Sequence, residues 1–519
     1  MRRVSWGWAA VAAVPALFIG WFFAYPTARI LGLGLSGLGA GPGAGAGLDG
    51  RLLGVAWFTL WQAAASTALT LVAAAPLTWA VSNFEFRGRR LVTALVTVPF
   101  VLPTVVVGTA FASLGARGSI AAILAAHVFF NVAVVVRTVS TLWRRIDPSL
   151  HDAGRVLGAS EREVLRTVTL PLLKPAIAAA SSIVFLFTFT SFGTVLILGG
   201  YRYATLEVEI HRQAVALFNL PLAASLAVLQ LVGVSAALYA YSRYQERRTA
   251  SWALDRDSAK PRPQGGQRWA VAASAAVTVG ALAAPLVALT AHSLRGGAFA
   301  RLLKTDPVVG APVSAVGASL VFALAAAAIA VVVGVMAATV VARRSGGLSR
   351  WFDLALMLPL GTSAVTIGFG LIIALDRPVD LRASAWLIPI AHALVAVPFV
   401  VRAVVPTLRS IPAETREAAS VLGASPGRVW RRVDLPIASR AVMVGAGFAA
   451  AVSLGEFGAT SFVARPATPT IPTMIFRLLG RPGQASFGTA TALAVVLAAL
   501  TAGIVMWLDR AEVGDLGRF

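Results

Sequence analysis

Apolar runs of roughly 20 residues, each long enough to cross a bilayer as a helix, recur along the whole chain between short basic clusters. The pattern predicts twelve spans. The first six fall at about 7–24, 55–83, 91–114, 120–139, 172–199 and 222–242. The second six fall at about 269–291, 314–342, 352–376, 385–405, 437–462 and 486–508. Two stretches break the pattern. Residues 31–48 are Gly/Ala low complexity, which predicts a flexible external loop. Residues 243–268 are the longest polar segment, basic and rich in Pro and Gly, and sit midway as a linker would.

Composition agrees with this. Of 519 residues, 58% are hydrophobic and 13% charged, mean hydropathy is +0.79, and cysteine is absent. A soluble domain carries about 25% charged residues, so an ordinary cytosolic enzyme, a disordered chain and a disulfide scaffold are all excluded. The net charge of +22 comes from 44 basic residues clustered between spans. That is the distribution expected of cytoplasmic flanks, and it places both termini in the cytoplasm. No basic face interleaved with aromatics occurs, which argues against nucleic acid as a partner. Met1-Arg2-Arg3 before an apolar run resembles a signal peptide. Trp6, Trp8, Trp21, Phe22 and Phe23 bracket a run of spanning length, however, which predicts a retained anchor.

The chain repeats itself. Residues 126–137 (AHVFFNVAVVVR) align with 391–402 (AHALVAVPFVVR) at an offset of 265, and VLGAS at 156–160 aligns with VLGAS at 421–425. The same offset relates Leu170-Pro171 to Leu435-Pro436, Phe192-Gly193 to Phe457-Gly458, Thr205 to Thr470 and Arg212 to Arg477. Upstream, Pro99 and Gly108 match Pro359 and Gly368 at an offset of 260. The reading is all-α: six spans in residues 1–242, a cytoplasmic linker at 243–268, and six spans in 269–519. An even number of spans per copy makes the repeats parallel, with a pathway between them.

The most informative repeated element is the polar loop after the fourth span of each half, residues 147–171 and 411–436. A short helix leads to Gly158 or Gly423, and a second helix starts at Ser160 or Ser425, both good N-cap residues. Ser160 to Glu163 fits a capping box, and Pro426 takes the favoured first helical position. Val164, Leu165 and Val168 in one copy, and Val429, Trp430 and Val433 in the other, form an apolar stripe. Pro171 and Pro436 then open the next span. Each half thus displays an amphipathic helical hairpin on the cytoplasmic side, with its stripe expected to dock on a partner; the alternative is that the hairpins lie on the lipid surface or pack on their own bundle.

Glu417-Ala418-Ala419, Gly423 and Leu435-Pro436 resemble the EAA loop of permeases in binding-protein-dependent ABC importers. Asp152-Ala153-Gly154, Gly158 and Leu170-Pro171 form a second copy, with Asp for Glu and Gly for Ala. The resemblance implies a type I importer permease in the bacterial inner membrane, whose hairpins seat in an ATPase subunit. The same resemblance implies two ATPase copies carrying ATP-Mg, a solute-binding protein on the other side of the bilayer, and no cofactor or metal in this chain. Two fused halves resemble the thiamine and ferric-iron permeases, and residues 123–131, 191–200 and 205–213 look closest to the thiamine branch. No G-x-x-x-x-G-K-[ST] loop, His/Cys cluster or paired catalytic carboxylate occurs, so a transport permease is expected rather than an enzyme. The rival reading is an ion-coupled secondary transporter with 6+6 parallel repeats.

Several membrane residues remain to be placed. Glu456 lies deep in a predicted span, opposite Ser191 in the repeat, and either lines the path or bonds neighbouring helices. His127 and His392 share a repeat position, expected to be helix-interface donors rather than metal ligands. Glu207, Glu209 and His211 sit near the external mouth, either meeting a delivery protein or forming a solvated loop.

Overall fold

The computed structural model describes residues 6–39, 50–246, 260–306, 310–343, 347–377, 380–465 and 467–513. Among them there are helices and one isolated bridge, but no strand. The first half contains α1 (Val11–Ser36), α2 (Gly50–Asn83), the pair α3 (Arg89–Val101) and α4 (Thr104–Ser113), and α5 (Ile120–Trp143). It continues with α6 (Pro148–Val156), α7 (Glu161–Phe189), α8 (Gly193–Gly199), α9 (Leu206–His211) and α10 (Leu220–Tyr244). The second half contains α11 (Gly266–Ser293), α12 (Pro312–Arg343), the pair α13 (Ser349–Gly361) and α14 (Ala364–Ala374), and α15 (Leu387–Ser410). It continues with α16 (Ala413–Val421), α17 (Pro426–Gly455), α18 (Thr460–Val463), α19 (Ile471–Leu479) and α20 (Gln484–Leu508). Ten of these helices are long and apolar enough to span, or twelve if each bent pair is one span.

The repeat offsets reappear as matched hydrogen bonds. The Leu206 amide donates to Thr59 Oγ1 at 2.9 Å, and the Ile471 amide to Ser319 Oγ at 2.8 Å. Arg144 reaches the Val81 carbonyl and Arg409 the Val341 carbonyl, both at 3.4 Å. Partners downstream differ by 265 and partners upstream by 260.

The spans depart from straight helices at defined residues. The predicted spans 91–114 and 352–376 are each broken, with bends of 103° between α3 and α4 and 101° between α13 and α14. Pro103 explains the first bend, since it drives Leu102 to an extended conformation (φ −69°, ψ 141°). At the second, Ser363 is extended and its hydroxyl accepts from the Val365 amide, capping α14. The predicted spans 172–199 and 437–462 also end early, at Phe189 and Gly455, and restart as the short α8 and α18.

Their beginnings move too. α7 and α17 run unbroken from the hairpins into the membrane, so Pro171 and Pro436 do not open new helices. Each follows a π-helical turn, Leu165–Thr169 or Trp430–Asp434. That widened turn gives room for a ring that would strike the carbonyl of an ordinary α-helix.

Residues 31–39 are helix rather than flexible loop, and residues 40–49 lie outside the described residues. A Cβ at Gly34 would lie 2.7 Å from the Ala224 carbonyl oxygen, and Ser225 Oγ donates to the Gly34 carbonyl. The glycine there allows α1 to press closely on α10. Of the expected linker, α10 carries its first residues and the chain is described again from Lys260, where the Pro261 carbonyl accepts from the Glu85 amide.

The halves are interlocked. While its C-terminal part stays on α10, the first part of α1 crosses to the second half and packs on α12, burying Ile19 and Phe23 among Ala327, Ala330 and Val333. In the mirrored arrangement α11 packs on α2 and α4, with Leu282 and Leu289 in the core that includes Val105 and Val106.

Candidate functional site

Each hairpin is fixed by its own chemistry. In the first, Asp147 caps α6 by accepting from the Ser149 amide at 2.8 Å, and Pro148 takes the first helical position. Gly158 turns the chain at φ +85°, a conformation that Cβ would strain. Ser160 and Glu163 then form the expected capping box. The backbone amide and the hydroxyl of Ser160 both donate to the Glu163 carboxylate, at 2.7 and 2.8 Å. In the second hairpin Gly423 turns at φ +79°, but the Ser425 side chain makes no capping bond, and Pro426 alone organises the first turn.

The expected apolar stripes point the other way. Val164 and Val429 are buried, and Val168, Trp430 and Val433 are half-buried. Val164 packs against Gly154, where a Cβ would sit 3.0 Å from Val164 Cγ2, and Trp430 Nε1 donates to Thr339 Oγ1. Val164 thus closes the first hairpin on itself and Trp430 ties the second to α12; of the six, only Leu165 is exposed. The most exposed apolar side chains are at the tips, where Val156 and Leu157 are each 87% exposed, and Val421 and Leu422 86% and 88%. Sequence periodicity missed these pairs because they lie at a helix end, ahead of the turn glycines. Asp152, Ala153, Glu417 and Ala418 are exposed on the same hairpins, while Ala419 is half-buried.

Beneath the tips, equivalent positions use different chemistry. Arg416 donates to Asp434 Oδ1 at 2.8 Å and to the Leu408 carbonyl at 2.8 Å, and Arg343 closes on the other Asp434 oxygen. The first half has His151 and Thr169 at these positions, joined by a 2.9 Å bond from Nε2 to Oγ1. Partial burial holds His151 below its ordinary pKa of 6.5. The unfolded hairpin therefore takes the proton first, and this anchor weakens as pH falls through that value. Between about pH 7.5 and about pH 5.5, amide exchange in 148–156 is expected to rise relative to 413–421. Equal changes in both segments would refute this.

The other centre is the seam between halves. Phe192 and its repeat counterpart Phe457 stack on each other with centroids 5.4 Å apart and planes at 26°. A side chain that touches its own counterpart lies on the pseudo-two-fold axis. Phe192 also meets His211, His211 meets Phe462, and Phe457 meets Phe476, at 5.3–5.5 Å. This aromatic row closes the axis. Against Phe462 and Phe369, on the face away from the hairpins, lies a cavity of about 440 Å³ bounded also by Phe218, Asp380, Arg382 and Arg465.

Ser191 and Glu456 immediately precede the stacked pair. Ser191 bonds His127 Nε2 at 2.9 Å, and Ser66 bonds its Nδ1 at 3.0 Å. Glu456 lies outside the helix, with an extended backbone, and accepts from the amides of Ala459 and Thr460 at 2.8 and 2.9 Å. His392 bridges Ser453 and Thr460 at 2.7 Å each. The carboxylate thus caps the turn that carries Phe457, and both histidines bond neighbouring hydroxyls. Among the described residues no group of three metal-binding side chains occurs.

Glu207, Glu209 and His211 form neither a solvated loop nor a docking surface, because all three are buried. Glu209 accepts from Gln213 and pairs with Arg51 and Arg212. Glu207 accepts from Gln230 at 2.9 Å and, across the seam, from Ser363 at 2.6 Å.

A two-half membrane bundle with paired hairpins on one face and a closed axis between them is the architecture of a transport permease. The family of inner membrane components of binding-protein-dependent transport systems matches residues 66–251 and again residues 330–512, and the chain belongs to that family. It is therefore a fused two-half permease of an ABC importer, a multi-pass inner-membrane protein and not an enzyme. It is 29% identical over 514 residues to the thiamine transport system permease ThiP of Brucella abortus, covering 93% of this chain and 92% of that one. It is 26% identical to the ThiP of Salmonella typhimurium over 87% of this chain and 88% of that one. The putative 2-aminoethylphosphonate permease PhnV of Salmonella typhimurium matches a shorter stretch, 32% identical over 39% of this chain and 75% of the relative.

Proposed function

We propose that this permease imports thiamine. The observation that carries the reading is similarity to thiamine permeases through both halves, 93% of this chain, whereas the aminoethylphosphonate relative covers 39%. The hairpins seat on two copies of an ATPase subunit that bind ATP-Mg, with both termini on that cytoplasmic side. Asp152, Ala153 and Gly158 in one copy, and Glu417, Ala418, Ala419 and Gly423 in the other, shape the contact. Val156, Leu157, Val421 and Leu422 supply its apolar anchors. Ferric iron, the other cargo of fused permeases of this kind, is the second reading.

Closure of the ATPases draws the hairpins together. α7 and α17 are continuous with the hairpins, so this motion passes directly into the helices that end beside Ser191 and Glu456. Those two residues set the turns carrying Phe192 and Phe457, and rocking of the halves parts the stacked rings. Cargo released by the binding protein then passes along the axis. In proteoliposomes holding permease, ATPase and binding protein, ATP-dependent uptake of labelled thiamine is expected. ATP-dependent uptake of ferric iron in its place would overturn the cargo assignment.

A further inference from the structure

We propose that Glu207 receives the positive charge of the cargo, in a site walled by Phe192, Phe457 and Phe462 that opens when the halves part. The inference rests on the reading above, that the cargo is a cationic heteroaromatic solute.

Glu207 and His211 lie four residues apart on α9 and so share one face. The His211 ring lies between Phe192 and Phe462, which places the carboxylate one helical turn from the aromatic row. Glu207 is wholly buried, and its hydrogen-bond partners among the described residues are two neutral groups, Gln230 Nε2 and Ser363 Oγ. Its neighbour Glu209 has two arginines within ion-pair distance. A buried carboxylate without a cation is costly as the ion, so in the closed state it is held by its two donors or protonated, and it gains a full charge only where its environment changes or a cation arrives. Two further polar atoms beside it, His211 Nδ1 and Gln230 Oε1, are buried without a hydrogen-bond partner among the described residues.

The Ser363 bond shows when that change occurs. Ser363 belongs to the other half, at the bend between α13 and α14, so separation of the halves removes one of the two donors. The exposed carboxylate then faces aromatic rings whose negative faces also favour a cation. A flat cation with a ring-borne charge satisfies both. The arrangement is one-sided: the repeat counterparts of Glu207 and Ser363 are Pro472 and Pro103, so the other half has no carboxylate at the equivalent position, and its Glu456 is already held by the amides of Ala459 and Thr460. A cargo with one charged ring and one neutral ring is thereby given a single orientation.

The test reads charge preference in proteoliposomes containing the complete importer. It compares uptake of thiamine with uptake of its thiophene isostere, in which carbon replaces the charged ring nitrogen. The binding protein's own preference is common to all variants and cancels in the comparison. Glu207→Gln is expected to lower the preference about tenfold, and Glu207→Asp to retain most of it. An unchanged preference in Glu207→Gln, with thiamine still imported by the wild type, overturns this inference alone. Wild-type import of neither compound overturns the thiamine reading and this inference with it. Should Glu207→Gln fail to assemble, Ser363→Ala reads the latch. Loss of that donor is expected to raise ATP hydrolysis without binding protein about fivefold, and an unchanged rate overturns the proposal.

Discussion

Replacing Asp434 with alanine is expected to abolish uptake and to destabilise the second hairpin and its helix by about 3–5 kcal/mol. Asp434 is fully buried and takes Arg416 on one oxygen and Arg343 on the other. Removing it leaves two guanidinium groups facing each other with their shared counter-charge gone. Arg416 also bonds the Leu408 and Ile411 carbonyls, so its displacement frees the end of α15 as well. The matched control is Thr169→Ala in the first half, which removes one neutral hydrogen bond worth about 1 kcal/mol. Thermal unfolding of the purified permease separates the two variants. Equal losses of stability would show that the ion pairs do not anchor the hairpin.

The second large effect concerns binding rather than folding. The double substitution Val421→Asp with Leu422→Asp is expected to weaken association with the ATPase subunit by a factor of about 100 or more. Each of these side chains is worth roughly 1.5–3 kcal/mol when moved from water into an apolar pocket. The substituted carboxylates would in addition be desolvated on docking. Both residues already face solvent, so stability of the isolated permease should be unaffected, which distinguishes this variant from Asp434→Ala. Val156→Asp with Leu157→Asp tests the first hairpin in the same way. Wild-type affinity in both double variants would place the coupling surface elsewhere.

What could be read from the chain follows from what hydropathy and spacing measure. Membrane-length runs, the 265-residue offset and the hairpin turns were legible because each is a property of consecutive residues or of two aligned copies. The bends at Pro103 and Ser363 were not, since an average over a window treats a broken run as a whole one; Pro103 was the available signal. Val164 and Val429 showed the correct period but the wrong face, because a stripe does not say which side is the partner. Glu207 was misplaced for a related reason. A carboxylate in a short polar stretch looks solvated until Gln230 and Ser363, 23 and 156 residues away, are seen to close on it. The role of Gly34 also depends on a contact distant in sequence, so its stretch read as flexible.

The crossing of α1 onto α12 has a consequence for how the protein is made. The surface that receives Ile19 and Phe23 is synthesised roughly 300 residues after them. At about 5–20 residues per second, α1 waits some 15–60 s in the bilayer before its binding face exists. During that interval the nascent first half carries an unmet helix edge, and a foreign helix or membrane chaperone has time to occupy it. Fusion of both halves in one polypeptide limits that hazard, because the awaited partner is always tethered nearby.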